Sequence, residues 1–148
     1  MWAELCFARA TVVVALFLAL SVGCGRSDQG RSEAAKVLRA LEVVRAAPNE
    51  TKRRPVEELA HAQCSSPVVC DARDRCAEAY QHLARGTEAA LRVKSELDRL
   101  ETSPPIAPEK MAELSSALDL ADSEINGAKA SLTRCEEAAS LMRRTFGI

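Results

Sequence analysis

Three prolines in the segment Thr102-Ser103-Pro104-Pro105-Ile106-Ala107-Pro108 separate two stretches that share one apolar pattern. Stepping alternately by three and four from Val69 meets Ala72, Cys76, Ala79, Leu83, Gly86, Ala90, Val93, Leu97 and Leu100, none of them charged. The same alternation from Met111 meets Leu114, Leu118, Ala121, Ile125, Ala128, Leu132, Cys135, Ala139, Met142 and Phe146. A repeat of this period keeps one stripe of a helix turned to a partner, so both stretches are expected as long helices carrying heptad seams. Proline breaks a helix interior but fits a first turn, so the segment ends one helix and Pro108 can open the next. A connection this short makes the two helices antiparallel neighbours.

One register closes along the whole seam. Setting Leu100 against Met111 puts Leu97 against Leu114, Val93 against Leu118, Ala90 against Ala121 and Gly86 against Ile125. Continuing, Leu83 meets Ala128, Ala79 meets Leu132, Cys76 meets Cys135, Ala72 meets Ala139 and Val69 meets Met142. Several layers set a small residue against a large one, as interdigitated packing requires. Gly86 and Gly127 fall near one level, where each costs about 1 kcal/mol of helix propensity and allows close approach or a bend, with Asn126-Gly127 the expected position of any kink. Helices of roughly 30 to 38 residues would make a rod of about 45–55 Å.

Upstream, Ser32 is a plausible N-cap for a first helix of about 15 residues, with Ala34, Val37, Leu38, Leu41 and Val44 on one face. Pro48 and residues 49–54 end it, and Pro55 opens a short second element with Val56, Leu59 and Ala60 on its apolar side. These two helices must bury their stripes on a flank of the rod, at the end near the cysteines. The expected fold is all-α: a long, coiled-coil-like antiparallel hairpin with two shorter N-terminal helices packed on it.

The first residues hold one acid, Glu4, and one base, Arg9, followed by an uncharged run from Ala10 to Gly23. That run has the length of a signal-peptide apolar region and is short of the roughly 20 residues that cross a bilayer. Small residues Ser21 and Gly23 precede Cys24. The sequence Ser21-Val22-Gly23-Cys24 resembles the lipobox of bacterial lipoproteins, with Ser21 in the place usually held by leucine and Leu20 one step earlier. The resemblance implies that residues 1–23 are a cleaved signal peptide and that Cys24 is acylated and anchors the chain to the membrane. It places the chain in the bacterial cell envelope, facing the periplasm, with the outer membrane favoured because Gly25 rather than Asp follows Cys24. Residues 24–31 then form the lipidated cysteine and a flexible polar tether holding the domain within roughly 15 Å of the bilayer. Residues 32–148 form one helical domain.

Cleavage would discard Cys6 and lipidation would occupy Cys24, leaving Cys64, Cys70, Cys76 and Cys135. An even number in an exported domain implies disulfides, and the seam register favours Cys76 with Cys135, which leaves Cys64 with Cys70. Cys64 with Cys76 and Cys70 with Cys135 is the runner-up. A zinc site with His61 competes less well, because structural zinc sites prefer closer cysteine spacing and exported thiols are oxidised. No metal ligand and no cofactor is assigned.

Net charge is -1, which excludes a strongly basic nucleic-acid binder. After cleavage only Tyr80 and Phe146 remain as aromatics, too few for base-stacking platforms or aromatic-lined ligand pockets. No nucleophile elbow, metalloprotease helix, P-loop or dinucleotide turn is present, so no catalytic residue is assigned. His82 reads as a partly exposed flank residue, and the acids Glu96, Asp98, Glu101, Asp119, Asp122 and Glu124 read as a solvated face. Lys52-Arg53-Arg54 and Arg143-Arg144 also read as solvated, the first with the option of touching anionic headgroups. Asn49-Glu50-Thr51 matches a glycosylation sequon that a bacterial lipoprotein would not use. The spacing of Cys64, Pro67, Val69 and Tyr80 resembles small helical periplasmic proteins of the lysozyme-inhibitor kind; Cys70 and Cys76 fall outside that pattern, and no function is carried over.

The expectation is a non-enzymatic, lipid-anchored envelope protein, a spacer or a binding surface for another protein. The competing expectation is a small-ligand carrier or enzyme with a site between hairpin and N-terminal helices, near His61, His82 and Tyr80. Self-association through exposed Leu91 and Leu141 is a further option.

Overall fold

The computed structural model describes residues 24–100 and 106–148, with side chains from residue 28 onward. The expected signal peptide, the Cys24 side chain and the prolines Pro104 and Pro105 lie outside what is described. Every regular element among the described residues is helical: α1 (Cys24–Ala46), α2 (Arg53–Ala60), α3 (Pro67–Leu100) and α4 (Pro108–Phe146), with one 3-10 turn at Asn49–Thr51. No described helix is long and apolar enough to cross a membrane.

Proline opens both long helices, and glycine closes α4. Pro67 is the first residue of α3, and the Ser66 carbonyl accepts the first turn's bond from Cys70 N–H at 2.9 Å. Pro108 opens α4, where a missing N–H goes unnoticed because no partner exists for it. Gly147, at φ 63°, closes α4 in the left-handed conformation, and the Gly147 and Ile148 N–H groups both return to the Arg143 carbonyl. Asn126 and Gly127 lie within α4 without interrupting it.

At 34 and 39 residues, α3 and α4 are about 50 and 58 Å long. They pack closely. The Cys76–Cys135 disulfide joins them, a side chain at Gly86 would collide with Ile125, and Lys110 Nζ lies 3.6 Å from Glu96. At Gly86 an added Cβ would stand 2.9 Å from Ile125 Cγ1 and 3.1 Å from the Ala121 carbonyl oxygen, so the backbones approach as only glycine allows.

The core gathers all four helices at the cysteine end. Ala34, Val37, Leu41 and Val44 of α1 and Val56 and Leu59 of α2 are buried in one cluster with Val69, Ala72, Cys76, Ala79 and Tyr80 of α3 and Cys135, Ala138, Ala139 and Met142 of α4. The cluster reaches no farther toward the α3–α4 connection than Leu83 and Leu132.

Two N-terminal expectations are corrected. Residues 25–31, read as a flexible tether ahead of a helix capped by Ser32, are the first turns of α1. Their polarity misled because tertiary contacts recruit them: Gly30 lies so close to the Phe146 ring that a Cβ would stand 2.6 Å from it, and Arg31 Nη2 donates to the Gly147 carbonyl at 3.4 Å. The second correction concerns α2, which begins at Arg53 and not at Pro55. Pro55 still sits in the first turn, where its missing N–H costs no helical bond.

Candidate functional site

Both expected disulfides are present. Cys64 and Cys70 are bridged across the turn before α3 with Cα atoms 5.4 Å apart, and Cys76 and Cys135 across the seam with Cα atoms 4.5 Å apart. Among the described residues no three His, Cys, Asp or Glu side chains are grouped to hold a metal ion.

Beside the first bridge, Glu33 of α1 clasps the turn leading into α3. Its carboxylate accepts from the Ser65 N–H at 2.7 Å, the Ser65 hydroxyl at 2.8 Å, Gln29 Nε2 at 3.0 Å and the Ser66 N–H at 3.4 Å. The Ser65 backbone bond, then its hydroxyl, hold the carboxyl down at about 2 from an ordinary 4.5, against the opposing effect of burial. Glu33 therefore ties the start of α3 to α1 as a carboxylate.

Lys52 departs from the solvated reading of its cluster. It is buried, and its Nζ donates to the Val44 and Ala47 carbonyls, both at 2.7 Å, which neutralises the unpaired end of α1. Burial pushes its pKa down, and the ammonium also stands 5.8 Å from the Tyr80 ring centroid. Arg53 and Arg54 are exposed and pair with Glu57 and Glu58 one turn on. Arg45 bridges α1 to Glu136 of α4; burial works against its charge, but hydrogen bonds to Tyr80 and Glu136 hold its pKa above the ordinary value.

The three residues of the competing site are not brought together. His61 is exposed at the C-cap of α2, Tyr80 is buried in the core, and His82 lies against α4. His82 is more engaged than a flank residue: its Nδ1–H donates to Glu124 Oε2 at 2.6 Å, and Arg85 Nε stands 3.1 Å from the same oxygen. Burial pushes the Glu124 carboxyl up, but the bonds and charges of His82 and Arg85 outweigh it and hold the pKa below the ordinary value. A Cβ at Gly127 would sit 3.1 Å from His82 Nδ1, so this glycine makes room for the imidazole. Glu124 thus leaves the solvated face to which its spacing assigned it. The cluster brings together an imidazole, a carboxylate and a guanidinium and ties α3 to α4.

A cleft of about 460 Å³ opens between α2 and α3, lined by Arg53, Val56, Glu57, Gln81, Ala84, Arg85 and Glu88. Its two arginines and two glutamates cancel in formal charge: Arg53 pairs with Glu57 at 3.2 Å and with Glu88 at 3.6 Å, while Arg85 reaches out of the cleft to Glu124 at 3.1 Å. That leaves the cleft without a net charge to select an ionic ligand.

The largest feature is the uneven burial of the seam. One heptad series stays covered: Ala72, Ala79, Gly86 and Val93 on α3, and Leu114, Ala121, Ala128 and Cys135 on α4, are buried, and Leu100 at the end of α3 is half-buried. The other fades with distance from the cysteines. Val69 and Cys76 are buried, Leu83 and Ala90 half-buried, and Leu97 43% exposed. On α4, Ala139 is buried, Leu132 and Ile125 half-buried, and Leu118 and Met111 47% and 50% exposed. The second series stays covered where the cluster containing α1 reaches, to Leu83 and Leu132, and opens beyond it, while Val93 and Leu114 of the first series stay buried between α3 and α4. The ten seam layers of the sequence are therefore not uniformly closed, and an apolar groove runs along the outer half of α3 and α4. Leu91 and Leu141, the exposed pair named for self-association, are also exposed here, at 38% and 46%, but belong to neither seam.

No protein-family model, no curated protein and no solved structure matches this chain.

Proposed function

We propose that the chain is a lipid-anchored protein of the bacterial cell envelope, whose α3 and α4 form an antiparallel hairpin serving as a non-enzymatic spacer or protein-binding arm. The observation that carries the binding role is the exposed seam series ending in Leu97, Leu118 and Met111, an apolar stripe that α3 and α4 leave open to solvent along their outer half. The antiparallel reading is supported by contacts whose numbers fall on α4 as they rise on α3: Cys76 with Cys135, His82 with Glu124, Glu96 with Lys110. The anchor rests on Ser21-Val22-Gly23-Cys24 alone. Its lipid sits at the N-terminus of α1, and Gly25 in place of aspartate favours the outer membrane.

Fractionation of expressing cells tests the reading. The chain is expected in the membrane fraction, released by detergent and not by salt, and Cys24→Ala is expected to accumulate as the unprocessed precursor. Wild-type chain in the soluble fraction would overturn the anchor. The cleft between α2 and α3 favours a second reading, a small-ligand carrier; a screen of neutral polar ligands that raises the unfolding temperature of wild type but not of Gln81→Leu would support it.

A further inference from the structure

The open half of the seam is a groove with an occupant already present at its other end. The same heptad line that is exposed at Leu97 and Leu118 is covered at Cys76 and Ala139, where the apolar face of α1 shares their core cluster. Helical geometry turns the fading series of two antiparallel helices to the same flank, so the groove that accepts α1 at the cysteine end continues, unfilled, to the far end.

We propose that this groove is a self-association surface, filled by the same groove of a second copy turned end for end about a two-fold axis. The pairing rests on the antiparallel hairpin proposed above and is independent of the lipid anchor. Setting Leu97 against the partner's Ile125 brings Ala90 to the partner's Leu118 and Leu83 to the partner's Met111, by heptad spacing alone. On the rim the same register sets Lys94, which also pairs with Asp98 of its own helix at 2.7 Å, against the partner's Asp122, and Thr87 against the partner's Ser115.

Charge selects this register over its neighbours. Sliding one heptad outward sets Asp98 against the partner's Asp119 and leaves Lys94 opposite the partner's Ser115. Sliding one heptad inward sets Lys94 against the partner's Lys129 and drives the second hairpin into α1. Like charges across an interface repel, so only one of the three alignments is complementary. Its overlap, from Leu83 to Leu100, spans roughly 27 Å and buries on the order of 1,000 Å² in total, the lower end for specific association. The dimer is therefore weak and reversible. Side-by-side pairing with both cysteine ends together is blocked, because each α1 stands in the groove between them.

The full chain in detergent, mixed from isotope-labelled and unlabelled copies, gives the test. A zero-length carbodiimide cross-link between Lys94 and Asp122 is expected in mixed-isotope peptides, with a concentration-dependent monomer–dimer equilibrium in sedimentation. Lys94→Asp and Asp122→Lys are each expected to weaken the dimer about tenfold and the double swap to restore it, as two symmetric rim pairs are reversed and re-formed. Leu118→Asp, at an exposed position, is expected to leave a folded monomer. A chain that stays monomeric at millimolar concentration, or a dimer indifferent to Leu118→Asp and to both swaps, would overturn the proposal, whatever else binds the groove. The intrachain link between Glu96 and Lys110, 3.6 Å apart, reports the hairpin separately. If it forms and the interchain link does not, the dimer fails alone; if neither forms, the antiparallel reading fails first.

Discussion

Removing the Cys76–Cys135 bridge by the paired change Cys76→Ala and Cys135→Ala should cost far more stability than removing Cys64–Cys70 in the same way. The bridges constrain very different lengths of unfolded chain, separations of 59 and 6 residues. Chain entropy converts these into about 4 kcal/mol for the long loop and about 2 kcal/mol for the short one. Both sulfurs of the long bridge also lie in the core, at 1% and 0% exposure for Cys76 and Cys135, so their loss adds a small cavity to the entropic effect. The loops do not overlap along the chain, so the four-alanine variant should lose close to the sum. Urea unfolding followed by helical circular dichroism reads all three values. With a slope of about 2 kcal/mol per molar urea, the long-bridge variant should shift its midpoint by about 2 M and the short-bridge variant by about 1 M. Equal shifts, or a larger shift for the short bridge, would refute the argument that the long bridge confines the denatured chain.

Three further outcomes follow from single side chains. Because the Glu33 carboxyl is held at about 2 in the folded chain against an ordinary 4.5, its contribution is complete above pH 4.5 and is lost as the pH falls toward 2; Glu33→Gln should flatten stability in that window, seen by urea titrations at stepped pH. Lys52→Met should cost about 1–3 kcal/mol, since it leaves the Val44 and Ala47 carbonyls without their donor, and the same unfolding assay measures it. Leu41→Ala, at a fully buried position, should cost about 2–5 kcal/mol, whereas Leu118→Ala should cost less than about 1 kcal/mol. Hydrogen exchange should separate the two regions in the same sense, with amides near Cys76 and Cys135 protected longest and those near Leu97 and Leu114 exchanging first.

The long helices, the start of α4 at Pro108 and both disulfides were legible in the sequence because each rests on spacing or on proline's fit to a first turn. Heptad positions repeat along a chain whatever surrounds it, and one register brought Cys76 to Cys135. What spacing cannot carry is contact with a third element. The Gly-containing segment 25–31 looked like a tether because nothing local shows that Gly30 will lie against Phe146, more than a hundred residues away. Lys52 sits in a basic triplet that local reading assigns to solvent, yet the end of α1 draws its ammonium inward. Glu124 lies off the seam and is nonetheless shielded, since His82 and Arg85 reach across from α3. The fading burial of one seam series had the same origin: both heptad series look alike in sequence, and only the tertiary packing buries Val93 and Leu114 while leaving Leu97 and Leu118 open.

The central claim is a helical arm held to a membrane through Cys24, and the mass of the mature N-terminal peptide tests it most directly. Protein extracted from membranes of its own host, digested and analysed without hydrolysis of esters, should yield a peptide that begins at Cys24 and carries acyl chains. A peptide beginning at Met1, or one beginning at Cys24 with a free thiol and a free amine, would contradict it.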